Sequence, residues 1–209
     1  MGCCYTYQTM RLQGGGPAVK KTGELPFSRD DVLNRILRVY VSSYDITKRE
    51  FEGDPLVVTA DFHEHQSGFI LIRKAEMWSA DRHEYAYIYS VPRLTLEVFN
   101  ECVKRTRELG EPKIDSSFGH MCTNLVSIFL ADEADEDALK ALRKYKFRKS
   151  FRFTINGWTE GHAALVSVKD GIIAANGAGR DYVNFFQYLL GLKKPKQRKR
   201  PLILSSLGE

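Results

Sequence analysis

The sequence lacks several features that would assign it to a class at once. No apolar run approaches the roughly 18 residues of a membrane-spanning helix. No Asn-X-Ser/Thr sequon occurs, and the N-terminal segment lacks the charged and apolar regions of a secretory signal. The four cysteines, Cys3, Cys4, Cys102 and Cys122, are too scattered for a disulfide framework. These absences predict a cytoplasmic protein in a reducing compartment.

Net charge is nearly missing outside the C-terminal segment. The chain has a formal charge of +5, and six positive side chains lie within residues 193–200, so the remaining residues sum to −1. The six are Lys193, Lys194, Lys196, Arg198, Lys199 and Arg200. Such a tail predicts weak contact with an anionic membrane or with nucleic acid. Because it has no aromatic side chain to stack on bases, any nucleic-acid affinity would come from phosphate contacts alone.

Apolar periodicity predicts a single α+β domain over residues 25–191, between a flexible arm (1–24) and the basic tail (192–209). Four helices are expected near 29–45, 92–109, 132–145 and 180–190, the first with a Ser28–Asp31 capping box. Seven strands are expected near 56–66, 69–78, 83–91, 121–131, 151–155, 163–167 and 172–175. Turns at 66–68, at 79–82 and at Asn156-Gly157 join neighbours. The order αβββαβαβββα predicts a mostly antiparallel sheet of about seven strands with the helices on one face.

Two pairs of metal-ligating residues follow the alternation of predicted strands. Asp61, His63 and His65 share one strand face, and His120 and Cys122 share a face of another strand. If those strands are neighbours, His63, His65, His120 and Cys122 form a candidate tetrahedral zinc site. Otherwise the histidines are solvated residues and Cys122 is a small core residue. Cys122 and His120 are also a candidate thiolate–imidazole dyad, although no helix N-terminus accompanies them to activate the thiol.

A glycine-rich turn precedes the last predicted helix. Gly177, Gly179 and Arg180 are candidate anion-binding residues, because backbone N–H groups at a helix start attract anions and the arginine adds charge. The alternative is a tight turn that only starts the helix, since a third glycine of the dinucleotide-binding fingerprint is missing.

The first residues match an acylation pattern. Gly2 and Thr6 fit the M-G-x-x-x-[ST] signal for N-myristoylation, and Cys3 and Cys4 are placed for palmitoylation. Stable attachment needs two signals, and the basic tail is a candidate for the second.

The sequence resembles no family that its motifs identify. The leading hypothesis is a non-catalytic cytoplasmic α+β domain that binds a protein partner or a small ligand without a cofactor, with a cationic tail for anionic surfaces. One alternative is an enzyme that uses a sheet-face site with His63, His65, His120 and Cys122, with zinc as its cofactor. The other is an acylated peripheral membrane protein.

Overall fold

The computed structural model describes residues 16–49, 52–69, 76–114, 120–151 and 158–193, and of residues 63–69, 76–82, 120 and 121 it describes the backbone alone. The strands in this part of the chain are β1 (Ala18–Lys21), β2 (Asp45–Lys48), β3 (Leu56–Phe69), β4 (Glu76–Leu94), β5 (His120–Ala134), β6 (Arg148–Ser150), β7 (Trp158–Ser167) and β8 (Ile172–Ala175). The helices are α1 (Arg29–Tyr40), α2 (Leu96–Gly110), α3 (Glu136–Lys144) and α4 (Asp181–Leu189).

These strands form one sheet in the order β1-β8-β7-β5-β4-β3-β2, and β6 also pairs with β7. Five of the seven described pairings are antiparallel, whereas β5 runs parallel to both β4 and β7. The α+β class with a mostly antiparallel sheet is therefore confirmed. The parallel pairs arise because α2 and α3 each carry the chain back along the sheet before the next central strand begins.

Helices cover both faces of the sheet, so the prediction that they pack on one face is wrong. Ile36 of α1 and Phe186 of α4 belong to one buried cluster, on what we call the α1/α4 face. Phe99 of α2 and Leu142 of α3 belong to a second cluster, on the α2/α3 face. The central strands are apolar on both sides and therefore need a covering layer on each.

The long β3–β4 hairpin replaces three predicted strands. Its register runs from Leu56↔Tyr89 to Phe69↔Glu76, so the turns predicted at 66–68 and 79–82 lie inside strands. Gly68 marks a shift in register instead of a turn. A glycine in an extended segment is as compatible with a strand irregularity as with a hairpin, and the sequence pattern does not separate the two.

The N-terminal boundary of the domain also differs from the prediction. Residues 18–21 were expected in the flexible arm, but they form β1 and pair with β8 from Ala18↔Ala175 to Lys21↔Ile172. Because this short edge strand is mostly exposed, it carries little apolar alternation for a sequence reading to detect.

The start of α1 confirms the predicted capping box. The Asp31 N–H donates to Ser28 Oγ (3.1 Å), and the Ser28 N–H donates to Asp31 Oδ2 (2.9 Å). The helix ends at Tyr40, not near residue 45, but the Tyr44 N–H still donates to the Tyr40 carbonyl (2.8 Å). In the described part of the chain, none of the helices has both the length and the apolar character that a membrane span needs.

Candidate functional site

One end of the α1/α4 face carries polar residues on three neighbouring strands. Glu84 of β4 pairs with Asn124 of β5, which pairs with Glu160 of β7. Because directly paired residues lie side by side on one face, the two glutamates flank the asparagine in one row. His162 of β7 pairs with Val126, which belongs to the cluster on the α1/α4 face. The imidazole therefore lies on the same side as the row.

Tyrosines from the end of α1, from the turn after it and from the start of α4 converge on this row. The Tyr44 hydroxyl donates to Glu84 Oε1 (2.8 Å), and the Tyr182 hydroxyl donates to the same oxygen (2.6 Å). The Tyr40 and Tyr44 rings stack with their centroids 4.1 Å apart. We call this set the tyrosine–glutamate site; its members are Tyr40, Tyr44, Glu84, Asn124, Glu160, His162 and Tyr182.

Local structure places each tyrosine. Tyr40 is the last residue of α1, and Tyr44 lies just after the turn that follows, where its N–H donates to the Tyr40 carbonyl (2.8 Å). Tyr182 lies in the first turn of α4, where its N–H donates to the Gly179 carbonyl (2.9 Å). The site therefore depends on where one helix ends and another begins.

His162 is the least satisfied polar side chain of the site. It is only 4% exposed, and neither imidazole nitrogen has a hydrogen-bond partner among the described residues. Its Nε2 lies 3.9 Å from Glu160 Oε2, which is too far for a hydrogen bond. Its ring meets the Tyr182 ring edge to face at 6.3 Å. Since nearly all buried polar groups in proteins are hydrogen-bonded, this arrangement calls for an explanation.

The electrostatics of the site favour the protonated form of the Tyr40 phenol. Burial raises the pKa of Tyr40 well above its ordinary value, the negative charge of Glu84 raises it further, and hydrogen bonds with Tyr182 and Tyr44 partly oppose the shift. The hydroxyls of Tyr44 and Tyr182 donate to the Glu84 carboxylate and hold it in place. No basic side chain in the described part of the chain forms an ion pair with Glu84.

A smaller polar group lies on the α2/α3 face. Lys113 Nζ lies 2.6 Å from Asp61 Oδ2 and 4.9 Å from the centre of the Tyr85 ring. Asp61 Oδ1 and the Tyr87 hydroxyl are buried without hydrogen-bond partners among the described residues. Burial raises the pKa of Tyr87, and the charge of Asp61 adds to the effect. Because Lys113 already neutralises Asp61, this group is the weaker candidate.

The four predicted zinc ligands lie on strands that are not neighbours. His63 and His65 belong to β3, whereas His120 and Cys122 belong to β5, and β4 lies between them. The zinc hypothesis requires β3 and β5 to be neighbours, and they are not. Cys122 is buried, and the three histidine side chains lie outside what the structure describes.

The predicted thiolate–imidazole dyad is affected by an irregularity in β5. His120 pairs with Asp81 and Cys122 pairs with Arg82, so the register shifts between them and simple alternation does not apply. Within the described ranges, no group of three or more histidine, cysteine or acidic side chains is arranged to hold a metal ion.

The predicted anion-binding turn is built around Asn176. Its Oδ1 accepts hydrogen bonds from the N–H groups of Ala163 (3.0 Å) and Gly179 (2.8 Å). Gly177 and Arg180 are exposed, and Arg180 precedes α4 without a side-chain cap. One of the proposed anion donors is thus already used within the chain, and anion binding by Gly177, Gly179 and Arg180 stays a prediction.

Most residues of the two terminal hypotheses lie outside the described ranges. Lys193 is described, and its Nζ donates to Asn184 Oδ1 (3.0 Å). The other tail residues lie outside: Lys194, Lys196, Arg198, Lys199 and Arg200. The acylation residues Gly2, Cys3, Cys4 and Thr6 lie outside as well.

An open depression of about 790 Å³ lies at the opposite end of the sheet, between the N-termini of α2 and α3. Arg93 and Asp135 in its lining form an ion pair of 2.7 Å. Lys140 pairs in turn with Glu136 and Asp137. Because most of its charged side chains are exposed and already paired with one another, the depression is a weaker candidate than the tyrosine–glutamate site.

Sequence reasoning missed the tyrosine–glutamate site, although a signal was present. Glu84 precedes Ala86 and Ile88 at alternate positions of β4, and Glu160 and His162 precede Ala164 on β7. On each strand, the face that carries these polar residues carries apolar residues at the alternate positions that follow. Which strands are neighbours had to be known before these residues could be grouped.

Comparisons with known proteins give a family. A search of curated proteins found no match, and a search of solved structures found none either. A family model described as a domain of unknown function, DUF8052, matches residues 28–188. This match covers more than half of the chain, which therefore belongs to the DUF8052 family.

Proposed function

We propose that this chain is a cytoplasmic, non-catalytic binding domain that takes a small ligand at the tyrosine–glutamate site. The proposal depends on the buried imidazole of His162, which lies beside Glu160 and has no hydrogen-bond partner among the residues that the structure describes. Leaving a buried polar group without a partner costs about 1–3 kcal/mol. A ligand that bonds to the imidazole removes this cost.

The position of the site supports ligand access. Glu84, Glu160 and Tyr44 are half-buried, whereas Asn124 between the two glutamates and His162 further along β7 are buried. The site therefore combines partly exposed polar groups, which a ligand can reach, with buried ones. A few convergent polar groups of this kind are typical of a small-molecule site.

A non-catalytic role is favoured by the state of the described cysteines. Cys102 and Cys122 are both buried, and burial raises the pKa of the Cys102 thiol to about 12. A thiol in that state is not an activated nucleophile. In this proposal the polybasic tail has a separate role, which is contact with an anionic surface.

The test follows the five histidines by long-range proton–nitrogen NMR, with signals assigned by single His→Gln variants. Millimolar probes of different charge are added: ethylamine, acetate, inorganic phosphate and adenosine. Binding at the site moves the His162 nitrogens, while His83, which stacks beside Tyr85 on the other face, stays unmoved. Glu84→Gln should weaken the response, and Glu97→Gln on α2 should not. If no probe moves His162 more than His83, the proposed function is wrong.

A further inference from the structure

The hydrogen-bond state of Glu84 limits what the site accepts. Glu84 Oε1 receives both phenol hydrogen bonds, from Tyr44 and Tyr182, whereas Oε2 has no partner in the described part of the chain. A carboxylate has about four acceptor positions and no donor when it is ionised. The unused capacity at Glu84 is therefore acceptor capacity, which calls for a ligand with N–H or O–H donors.

Of the two carboxylates at the site, Glu160 has a basic partner and Glu84 has none among the described residues. Glu84 and Glu160 lie in one row, separated by Asn124, and neighbouring strands are spaced about 4.8 Å apart. Arg148, which is more than half exposed, forms an ion pair of 3.9 Å with Glu160. The unbalanced charge of the site is therefore that of Glu84. A half-buried carboxylate such as Glu84 is stabilised by a positive partner and destabilised by a negative one. The ligand should therefore carry positive charge.

The surroundings favour an organic cation over a metal ion. The Phe62 and Tyr44 rings lie 5.2 Å apart beside Glu84, and Tyr40 packs behind Tyr44. Apolar surface of this kind suits a carbon skeleton. A metal ion would need several carboxylate or imidazole ligands on one point, and such a group is lacking within the described residues.

We infer that the ligand is an organic ammonium ion whose N–H groups bind Glu84 Oε2 and whose carbon skeleton packs against Phe62 and Tyr44. This inference rests on the proposed function, because it names the ligand class of the same site. The His162 imidazole, which has one donor and one acceptor when neutral, then bonds to a polar group next to the ammonium or to the ammonium itself.

The test uses three probes of nearly equal size on the full chain: 2-phenylethylamine (cation), 2-phenylethanol (neutral) and phenylacetate (anion). Dissociation constants are measured by NMR titration at low salt, with His162 as the reporter. The amine should bind at least tenfold more tightly than the alcohol, and phenylacetate should bind most weakly. Glu84→Gln keeps an acceptor for both phenols but removes the charge, so it should abolish the preference for the amine. Glu97→Gln is the matched control and should leave all three constants unchanged.

The outcomes separate the two proposals. If the alcohol or the acid moves His162 as strongly as the amine does, the site binds ligands but the ammonium inference is wrong. If none of the three moves His162, the ammonium inference also fails, and the wider probe set of the proposed function decides whether the site binds ligands at all. Circular dichroism and thermal unfolding of Glu84→Gln show whether a lost preference reflects lost charge or lost fold.

Discussion

The Tyr182 hydroxyl donates a 2.6 Å hydrogen bond to Glu84 Oε1 across 98 residues of sequence. This bond ties the first turn of α4 to β4. The helix packs against β8, and β7 and β5 lie between β8 and β4 in the sheet. Tyr182 and Glu84 both lie within the family match, which covers residues 28–188. The site and the packing of the last helix are therefore one structural unit.

Removing the Tyr182 hydroxyl should destabilise the domain. A hydrogen bond to a charged group contributes about 1.5–3 kcal/mol, so Tyr182→Phe should lower the free energy of unfolding by about 1–2 kcal/mol because Glu84 is partly solvated. Urea denaturation at neutral pH measures the change. Tyr188→Phe on the same helix is the control and should change stability by less than about 0.5 kcal/mol. Equal losses in the two variants would show that the hydrogen bond to Glu84 makes no specific contribution to the free energy of unfolding.

Replacing either of two tyrosines of β4 with phenylalanine should change the free energy of unfolding in opposite directions. The Tyr89 hydroxyl bonds to the Cys102 carbonyl (3.0 Å) and to Thr106 Oγ1 (2.9 Å), whereas the equally buried Tyr87 hydroxyl has no partner among the described residues. Tyr89→Phe should cost about 1 kcal/mol, and Tyr87→Phe should raise stability by a similar amount. Urea titrations of both variants test this. A loss on Tyr87→Phe would show that its hydroxyl is bonded in solution, for example through a water molecule.

Alkaline pH should unfold the domain. Burial raises the pKa of Tyr40, Tyr87 and Tyr89 above their ordinary value of 10.0, and raises that of Cys102 from 9.0 to about 12. Above these ordinary values the unfolded chain releases protons that the folded chain keeps, so stability falls as pH rises. The contribution is fully present below about pH 9, and each group removes up to about 1.4 kcal/mol per pH unit above its unfolded value. Urea midpoints between about pH 8 and pH 11 should therefore decline, and less steeply in Tyr40→Phe.

Local features of the fold were predictable, and long-range ones were not. The Ser28–Asp31 capping box and the four helices follow from neighbouring residues, so sequence reasoning located them. The parallel pairing of β5 with β4 and β7 depends on how α2 and α3 cross the sheet, which no short segment specifies. The grouping of Glu84 with Glu160 depends on that pairing. The site could therefore not be predicted without knowing that β5 lies between β4 and β7.

Asn176 should be among the most sensitive polar positions. Its side chain accepts from the N–H groups of Ala163 and Gly179 and donates to the carbonyls of Tyr145 (3.0 Å) and Gly161 (2.9 Å). Asn176→Ala leaves these buried groups unpaired, so we expect a loss of about 2–4 kcal/mol.

The matched control for this prediction is Asn184→Ala, which removes only the contact of an exposed lysine. It should change stability by less than about 0.5 kcal/mol. Arg180→Ala should also be close to neutral, because that side chain is exposed. If Arg180→Ala were as harmful as Asn176→Ala, the turn would owe its stability to the arginine.

The basic tail should bind anionic surfaces without the help of the domain. Replacing Lys194, Lys196, Arg198, Lys199 and Arg200 with Gln removes five of the six clustered charges and leaves Lys193 with its contact to Asn184. Each basic residue near an anionic leaflet contributes about 1 kcal/mol, so binding to phosphatidylserine vesicles should nearly vanish at physiological salt. Binding of the unmodified chain should weaken steeply as salt rises, because the attraction is screened. Glu84→Gln should bind these vesicles as the unmodified chain does, since the ligand site has no part in this contact. If the neutralised tail left vesicle binding intact, the anionic surface would be recognised by the body of the domain, whose net charge gives it no reason to do so.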